Sequence, residues 1–488
     1  MTGPASKLQG VSELRSFFRT NQTPVYFVSP TPFNLLGIDR WVRDFYYVTY
    51  FDSFEGSHPR VFVPEQREAR DFRSMEDICN YLLSQREVLD WVSSHGPRGR
   101  VVFVMFDEET EALATEAGLQ VAHPPAALRH HIDSKIVTTR LGNEAGVPSV
   151  PNVLGRARTY DDLQELAAQT GLGDDLVVQM PYGDSGKTTF FIKRRADWEK
   201  YAAKDPLHEQ ELKVMRRIDN RAIAVEAVLT RNGTLVGPLM NDITGHPELT
   251  PYPGGWAGND YPATLTDGQK QRARRLTGQL GERLAAEGFR GFFEVDYLVD
   301  LDTGELYLGE LNPRISGISS MTNVTAGAYA DMPLFLFHLL EYLDVDYEVD
   351  IDEINERWSR EESVDVWSQI IIKETEERLE LLTQAPHTGI YRLDEQGSVS
   401  FRRWGNDWHS ILDESEAFYL RILAPGDYRY RGGDLGALVT RGRLQGDDNR
   451  LTERCRQWIA GIKAQFAGTP LTPQEPVPPP GPLAFKMA

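Results

Sequence analysis

Residues 291–317 constrain the fold more tightly than any other stretch of the chain. Two arms rich in β-branched and aromatic residues, Gly291–Asp300 and Glu305–Asn312, flank the turn chemistry of Asp302-Thr303-Gly304, which predicts a β-hairpin. A three-residue loop at 302–304, with Gly304 in the left-handed position of a bulged turn, sets the register. Asp296 then faces Glu310, and Glu294 faces Asn312. Side chains two apart share a strand face, so three carboxylates and an amide converge on one patch of sheet. Like charges opposed across strands destabilise the pairing, so the patch needs positive charge. Hard oxygen donors of this kind suit magnesium, which keeps waters and bridges to nucleotide phosphates. The candidate metal ligands are Asp296, Glu310, Asn312 and Glu294. Arg314 follows at once, with a planar fork suited to a phosphate or a developing anion. The alternative is an exposed acidic hairpin, against which the apolar flanks argue.

Asp296 with Glu310-Leu311-Asn312-Pro313-Arg314 resembles the metal-binding end of the ATP-grasp fold. In that family an acidic residue on one strand and a Glu-x-Asn on the next hold two magnesium ions, and the following Arg assists an acyl-phosphate step. The resemblance implies ATP, two Mg2+ ions and Arg314 as the catalytic residue. It also implies a nucleotide site upstream. Asp133 or Ser134 can cap a helix that Gly146 and Pro148 end. Lys135 then lies in its first turn, where the helix dipole disfavours a cation; another partner, such as a phosphate, is expected. The family carries a nucleotide-contacting Lys at the matching point before a Gly-Val-Pro turn, here Gly146-Val147-Pro148.

Further on, Leu176 to Ile192 reads as strand, loop, strand. Gly183 and Gly186 let backbone N–H groups approach phosphate, and Ser185, Thr188 and Lys187 add donors. No helix follows Gly186-Lys187-Thr188, so this is not a Walker sequence. ATP-grasp proteins carry such a glycine loop over the phosphates, with a Lys where Gln179 stands; Lys187 or Lys193 could replace it. Leu212 to Ile218 resembles the hinge strand whose backbone reads adenine, with Met215 and Ile218 as its candidate contacts. Ala222–Leu229 and Thr234–Leu239 form a hairpin, and Glu226 is a candidate to face the nucleotide.

Residues 245–262 are rich in Gly and Pro and are expected to form neither helix nor regular strand. Long loops in compact domains are functional or disordered, and Tyr252 and Trp256 argue against disorder. The reading is a substrate-recognition loop, with a structural loop as the alternative. Gln269–Glu287 is an amphipathic helix. After the hairpin, Gly317 to Thr322 opens a helix where Ser319 and Ser320 are candidates to receive a substrate carboxylate; an ordinary hydroxyl cap is the plainer reading.

At 488 residues the chain holds two to four domains. The expected division is a lead-in at 1–21, an N-terminal α/β domain at 22–128, an ATP-grasp domain at 129–345 with its lid at about 150–215, a strand-rich α+β domain at 346–467, and a disordered Pro-rich tail at 468–488. The fold class is α/β and α+β, in the order seen in biotin carboxylases. Arg73–Trp91 reads as one helix. A net charge of −20 disfavours nucleic acid and anionic membrane as partners. Two cysteines give no disulfide framework. Neither a signal peptide nor a membrane span is evident, so a cytoplasmic location is the default.

Together these features imply an ADP-forming carboxylate–amine ligase acting on small molecules such as amino acids or a short peptide, leaving room for a homodimer. Two alternatives stand beside it. One is a biotin-carboxylase-type enzyme using bicarbonate, opposed by the Ile315-Ser316-Gly317 that follows Arg314. The other is a catalytically silent nucleotide-binding module, supported by Gln179.

Overall fold

The computed structural model describes residues 7–65, 72–96, 98–183, 188–204, 207–329, 332–361 and 365–471. Near the N-terminus a five-stranded parallel sheet runs in the order 61–62, 45–49, 25–29, 100–103, 120–121. Its central strands, Val25–Ser29 and Arg100–Phe103, are buried throughout, as expected of parallel strands covered on both faces. The single helix expected over Arg73–Trp91 is two helices, Met75–Ser84 and Arg86–Ser94. Gln85, extended at ψ 126°, ends the first and starts the second; the apolar period runs across this break, which hid it.

A small antiparallel sheet, in the order 152–155, 212–216, 176–179, 189–192, carries helices Tyr160–Gln169 and Arg195–Ala202. It has its own core of Leu163, Leu176, Val178, Ile192, Trp198, Leu212 and Val214. Asp162 and Thr159 close a capping box on the first of these helices.

The largest element is a ten-stranded antiparallel sheet in the order 306–312, 291–300, 220–230, 233–244, 256–261, 367–373, 434–441, 416–421, 389–393, 399–403. It takes strands from both sides of residue 346, so the acidic hairpin and the C-terminal strands belong to one continuous sheet. Helix Asp267–Ala286 buries Leu276, Leu280 and Leu284 against it.

Three expectations are corrected. Residues 256–261 form a strand near the sheet's centre, paired with Asn241–Thr244 on one side and Trp367–Ile370 on the other. Hydrogen-bonding partners on both edges override a weak local propensity. Gly258 is there for close approach: at φ +151°, a Cβ on it would stand 2.1 Å from the Gln369 carbonyl oxygen. Residues 468–470, expected in the tail, belong to a strand, since Ala467–Pro470 pairs with Glu380–Gln384; the rest of the expected tail, 472–488, lies outside the described residues. The hairpin turn is also longer than three residues. Asp300 N donates to Glu305 O, and the Asp300 side chain accepts from Asp302 N and Thr303 N. Val299 therefore pairs with Leu306, one residue off the expected register. Among the described residues, no helix is long and apolar enough to cross a membrane.

Candidate active site

The error at the turn is cancelled before it reaches the carboxylates. Tyr297 pairs with Leu308 but Asp296 pairs with Glu310, so Gly309 is the extra residue of a β-bulge. The bulge restores the register in which Asp296 faces Glu310 and Glu294 faces Asn312. Asp296, Glu310, Glu294 and Asn312 line one cavity together with Gln179, Met215, Trp256 and Arg314. The cavity lies between the small sheet and the acidic end of the large one.

Electrostatically, this wall is anion-rich. Burial pushes Glu294 up to about 7, against hydrogen bonds from Ser316 and Asn312 and the nearby Arg314, which pull it down. Burial, then the charge of Glu294, pushes Asp296 well above the usual carboxylate range. Glu226, opposite Glu294 on the next strand, is also pushed well up by burial. Such shifts mark carboxylates that lack enough positive charge around them. Arg314 Nη2 donates to Asn312 Oδ1 at 2.9 Å, and its Nε lies 3.9 Å from Asp133 Oδ1.

Lys135 heads helix Lys135–Glu144 and is buried. The Ser134 side chain does not cap that helix. Asp133 instead turns toward Arg129 and Arg314. The partner expected for Lys135 is Glu310: Nζ donates to Glu310 Oε1 at 2.6 Å and to the Gly183 carbonyl at 2.9 Å. One ammonium thus joins helix start, glycine loop and metal-strand carboxylate. Ser185, Gly186 and Lys187 lie outside the described residues.

Gln179 lines the cavity, with Nε2 on Thr189 Oγ1 at 3.2 Å and a buried Oε1 that has no hydrogen-bond partner among the described residues. Met215 lines it as well, whereas Ile218 lies past the end of the hinge strand and outside the lining. Lys193 is exposed beside Asp175 and is not brought to the site. Glu226 accepts from Ser316 Oγ at 3.1 Å and from Ser319 Oγ at 2.5 Å. Ser320 Oγ donates to Gln369 Oε1. Both helix-start hydroxyls therefore face buried side chains. Trp256 lies over Gly317, where a Cβ would be 2.6 Å from its ring. Tyr252 packs instead on Gly432, away from the cavity lining.

Two residues escaped sequence reasoning. Lys213, wholly buried, is the cross-strand partner of Gln179 and reaches the Gly309 carbonyl at 3.4 Å. It was read only as part of a strand acting through its backbone. Asp242 lines the cavity on a strand that runs to Thr244, five residues past the expected end. Following the alternation beyond Leu239 would have reached it.

The acidic wall fits an open magnesium site. Among the described residues no group of three His, Cys, Asp or Glu side chains is placed to hold a metal ion by itself. Magnesium commonly takes one or two carboxylates and completes its shell with water and phosphate, which suits the raised, under-compensated Asp296 and Glu294 beside Glu310 and Asn312.

No family model matches the chain. It is 28% identical over 197 residues to a D-alanine–D-alanine ligase A of Bradyrhizobium diazoefficiens, covering 38% of this chain and 52% of the relative. A D-alanine–D-alanine ligase of a Thermoanaerobacter species is 28% identical over 189 residues, 36% of this chain and 50% of its own. The chain thus spans about half the length of the curated relatives it matches. Among solved structures, the biotin carboxylase domain dimer of Hydrogenobacter thermophilus 2-oxoglutarate carboxylase, solved with MgADP and bicarbonate, superposes with a TM-score of 0.58 at 11% identity, over 92% of this chain and 91% of that one. The N5-carboxyaminoimidazole synthase of Aspergillus clavatus, solved with ADP and its aminoimidazole ribonucleotide, gives 0.54 at 13% identity over 90% and 97%.

Proposed function

The chain has the ATP-grasp fold, and from that premise we propose that it is an ADP-forming ligase, which activates a small-molecule carboxylate as an acyl phosphate and joins it to an amine. The observation that carries this reading is the convergence of Asp296, Glu310, Asn312 and Arg314 on one cavity, with Lys135 bonded to Glu310. A mere binding module has little need of that arginine.

Asp296, Glu310 and Asn312, with Glu294 beside them, would hold two magnesium ions, which supply the positive charge that lets a triphosphate lie against carboxylates. Met215 would contact the adenine, and Gln179, Lys135 and Gly183 would face the phosphates. The sequence adds Ser185, Gly186 and Lys187 to that group. Arg314 stabilises charge on the γ-phosphoryl group as it passes to the substrate carboxylate. The amine, once it has lost its ammonium proton, attacks the acyl carbon, phosphate leaves, and the sum is amide, ADP, phosphate and one released proton. Closure of the glycine loop would exclude water and protect the acyl phosphate from hydrolysis.

The partial likeness to relatives named for joining D-alanine to D-alanine favours amino acids or a short peptide as substrates. Likeness to a biotin carboxylase domain over 92% of the chain favours the bicarbonate alternative, and that domain's dimer makes a homodimer the assembly to examine. Ile315-Ser316-Gly317 after Arg314 argues against the carboxylase.

The test is incubation with Mg-ATP and pooled amino acids and small acids, with and without bicarbonate, read by mass spectrometry. ADP with a product of acid plus amine minus water supports the ligase. ADP formed only with bicarbonate supports the carboxylase. Saturable ATP binding without turnover in any pool supports the silent module.

A further inference from the structure

Asp242 is a carboxylate in the cavity wall that the phosphate chemistry does not use. It sits on strand Gly233–Thr244, separated from Asp296 and Glu294 by the intervening strand Asn220–Thr230. On that strand Ala222 lines the same cavity, and Ala222 pairs with Leu298. Ala222 therefore stands between Asp242 and the metal end, although the charge of Glu294 still reaches Asp242 and that of Asp242 reaches Asp296.

Its orientation is fixed by buried amides. Ser320 Oγ donates to Gln369 Oε1, Gln369 Nε2 donates to Asn259 Oδ1 at 3.0 Å, and Asn259 Nδ2 donates to Asp242 Oδ1 at 2.7 Å. Gln369 also ties to the Gly317 carbonyl at 3.0 Å. Asn259 and Gln369 are wholly buried, and each is the cross-strand neighbour of the next member of the chain. The Gly317 carbonyl can only accept, so Gln369 must turn its amide nitrogen toward Gly317 and Asn259, and Asn259 then turns its own amide nitrogen toward Asp242. The relay holds a carboxylate still at the cavity surface, as a preorganised binding group requires.

Burial, then the charge of Glu294, pushes Asp242 well above the usual carboxylate range against the hydrogen bond from Asn259, so what it offers is a carboxyl group that an arriving positive charge would hold ionised. Arg314 is the cationic side chain among the described cavity lining, and it is turned to Asn312. The partner of Asp242 must then arrive with the ligand. A divalent metal would want several hard oxygens, and among the described cavity lining Asp242 is the one carboxylate that does not lie on the strands of the acidic hairpin. Asp242 has Thr244 and Trp256 as companions in the wall. A carboxylate, a hydroxyl and an aromatic ring are the chemistry that receives an organic ammonium group: charge, hydrogen bonds and a π-face.

We propose that Asp242, held by the Ser320–Gln369–Asn259 relay and flanked by Trp256, binds the ammonium group of the amine-bearing substrate, which makes that substrate a primary amine such as an α-amino acid. The proposal rests on the ligase reading and deepens it. Asp242, Thr244 and Trp256 form the amine end of the cavity; Glu310 and Arg314, with Lys135 bonded to Glu310 behind the lining, form the phosphate end.

The experiment uses the full chain with Mg-ATP, a pool of small carboxylic acids, and the twenty proteinogenic amino acids or their α-hydroxy acid counterparts as acceptors, following ADP release. Wild type is expected to work with amino acids and not with hydroxy acids. Asp242→Asn is expected to raise KM for the amine by roughly 30-fold or more, the loss typical of removing one partner of a desolvated charge pair, while KM for ATP changes less than about twofold. Asp242→Ser serves if the amide variant fails to fold. An unchanged amine KM with active ligation overturns the assignment and leaves the ligase standing. An equal rise in KM for ATP also overturns it and makes Asp242 a metal ligand. No ADP from wild type with any acceptor removes the ligase reading and this inference with it.

Discussion

Replacing Lys213 by Met should make the protein more stable and its nucleotide binding weaker. Lys213 is wholly buried between the small sheet and the metal strand, with one long hydrogen bond to the Gly309 carbonyl. Burial lowers its pKa from 10.5 to about 8; Glu310 opposes that shift and Lys135 adds to it. At 1.36 kcal/mol per pK, the gap makes the buried charge unfavourable by roughly 3 kcal/mol. The unfolded chain keeps this proton up to about pH 10.5, while the folded chain releases it near 8. Between those values the unfolded state binds more protons, so wild-type stability rises with pH. Below 8 the unfavourable term is present in full. Met has nearly the same shape without the charge, so Lys213→Met should unfold at higher urea concentration at pH 7, by up to about 3 kcal/mol. The advantage should shrink toward zero as pH approaches 10.5. Mg-ATP titration at pH 7 should show weaker binding, because a buried cation beside Gln179 and Glu310 is retained for an anion. A variant less stable than wild type at pH 7 would refute the reasoning and show that attraction to Glu310 outweighs desolvation.

Other outcomes follow from the same geometry. Glu310→Gln should lower ATP turnover by on the order of a hundredfold or more with the melting temperature within a few degrees of wild type; retained turnover would remove Glu310 from the metal site. Gly258→Ala should destabilise by about 3 kcal/mol or more, read as a shifted urea midpoint, because its Cβ meets the Gln369 carbonyl; a neutral result would mean the central strand pair can part freely. His338 is buried, accepts from Phe292 N at 3.0 Å and bonds the Ala122 carbonyl at 2.7 Å. Burial lowers its pKa to about 3. Its stabilising contribution is complete above about pH 6.5 and is lost as pH falls toward 3. Unfolding free energies of wild type and His338→Asn from urea titrations, compared from pH 7 to 4, should converge by several kcal/mol; parallel curves would refute this.

The acidic hairpin was legible because its pattern is local. Alternation placed Glu294, Asp296, Glu310 and Asn312 on one face whatever the loop, since two errors of one residue cancelled at Gly309. The loop length itself depended on Asp300 accepting from Asp302 and Thr303, a side-chain choice that competes with the Gly304 turn. Residues 256–261 were illegible for a different reason. Their strand exists because partners 12 to 19 residues away on one edge and 106 to 112 residues away on the other pair with it, and local composition points the other way. Lys213 was hidden because a cross-strand neighbour, Gln179, gives it its meaning. Asp242 was hidden because its importance lies in Asn259 and Gln369, which share no sequence period with it.

The central claim is that a carboxylate oxygen becomes bonded to the γ-phosphorus. Its most direct measurement supplies Mg-ATP, an amine and a pool of acids labelled with 18O in the carboxylate, and then weighs the released phosphate. An acyl phosphate leaves one 18O atom in the inorganic phosphate, with ADP in equal amount. Label in AMP, or product formed with unlabelled phosphate, would contradict the account.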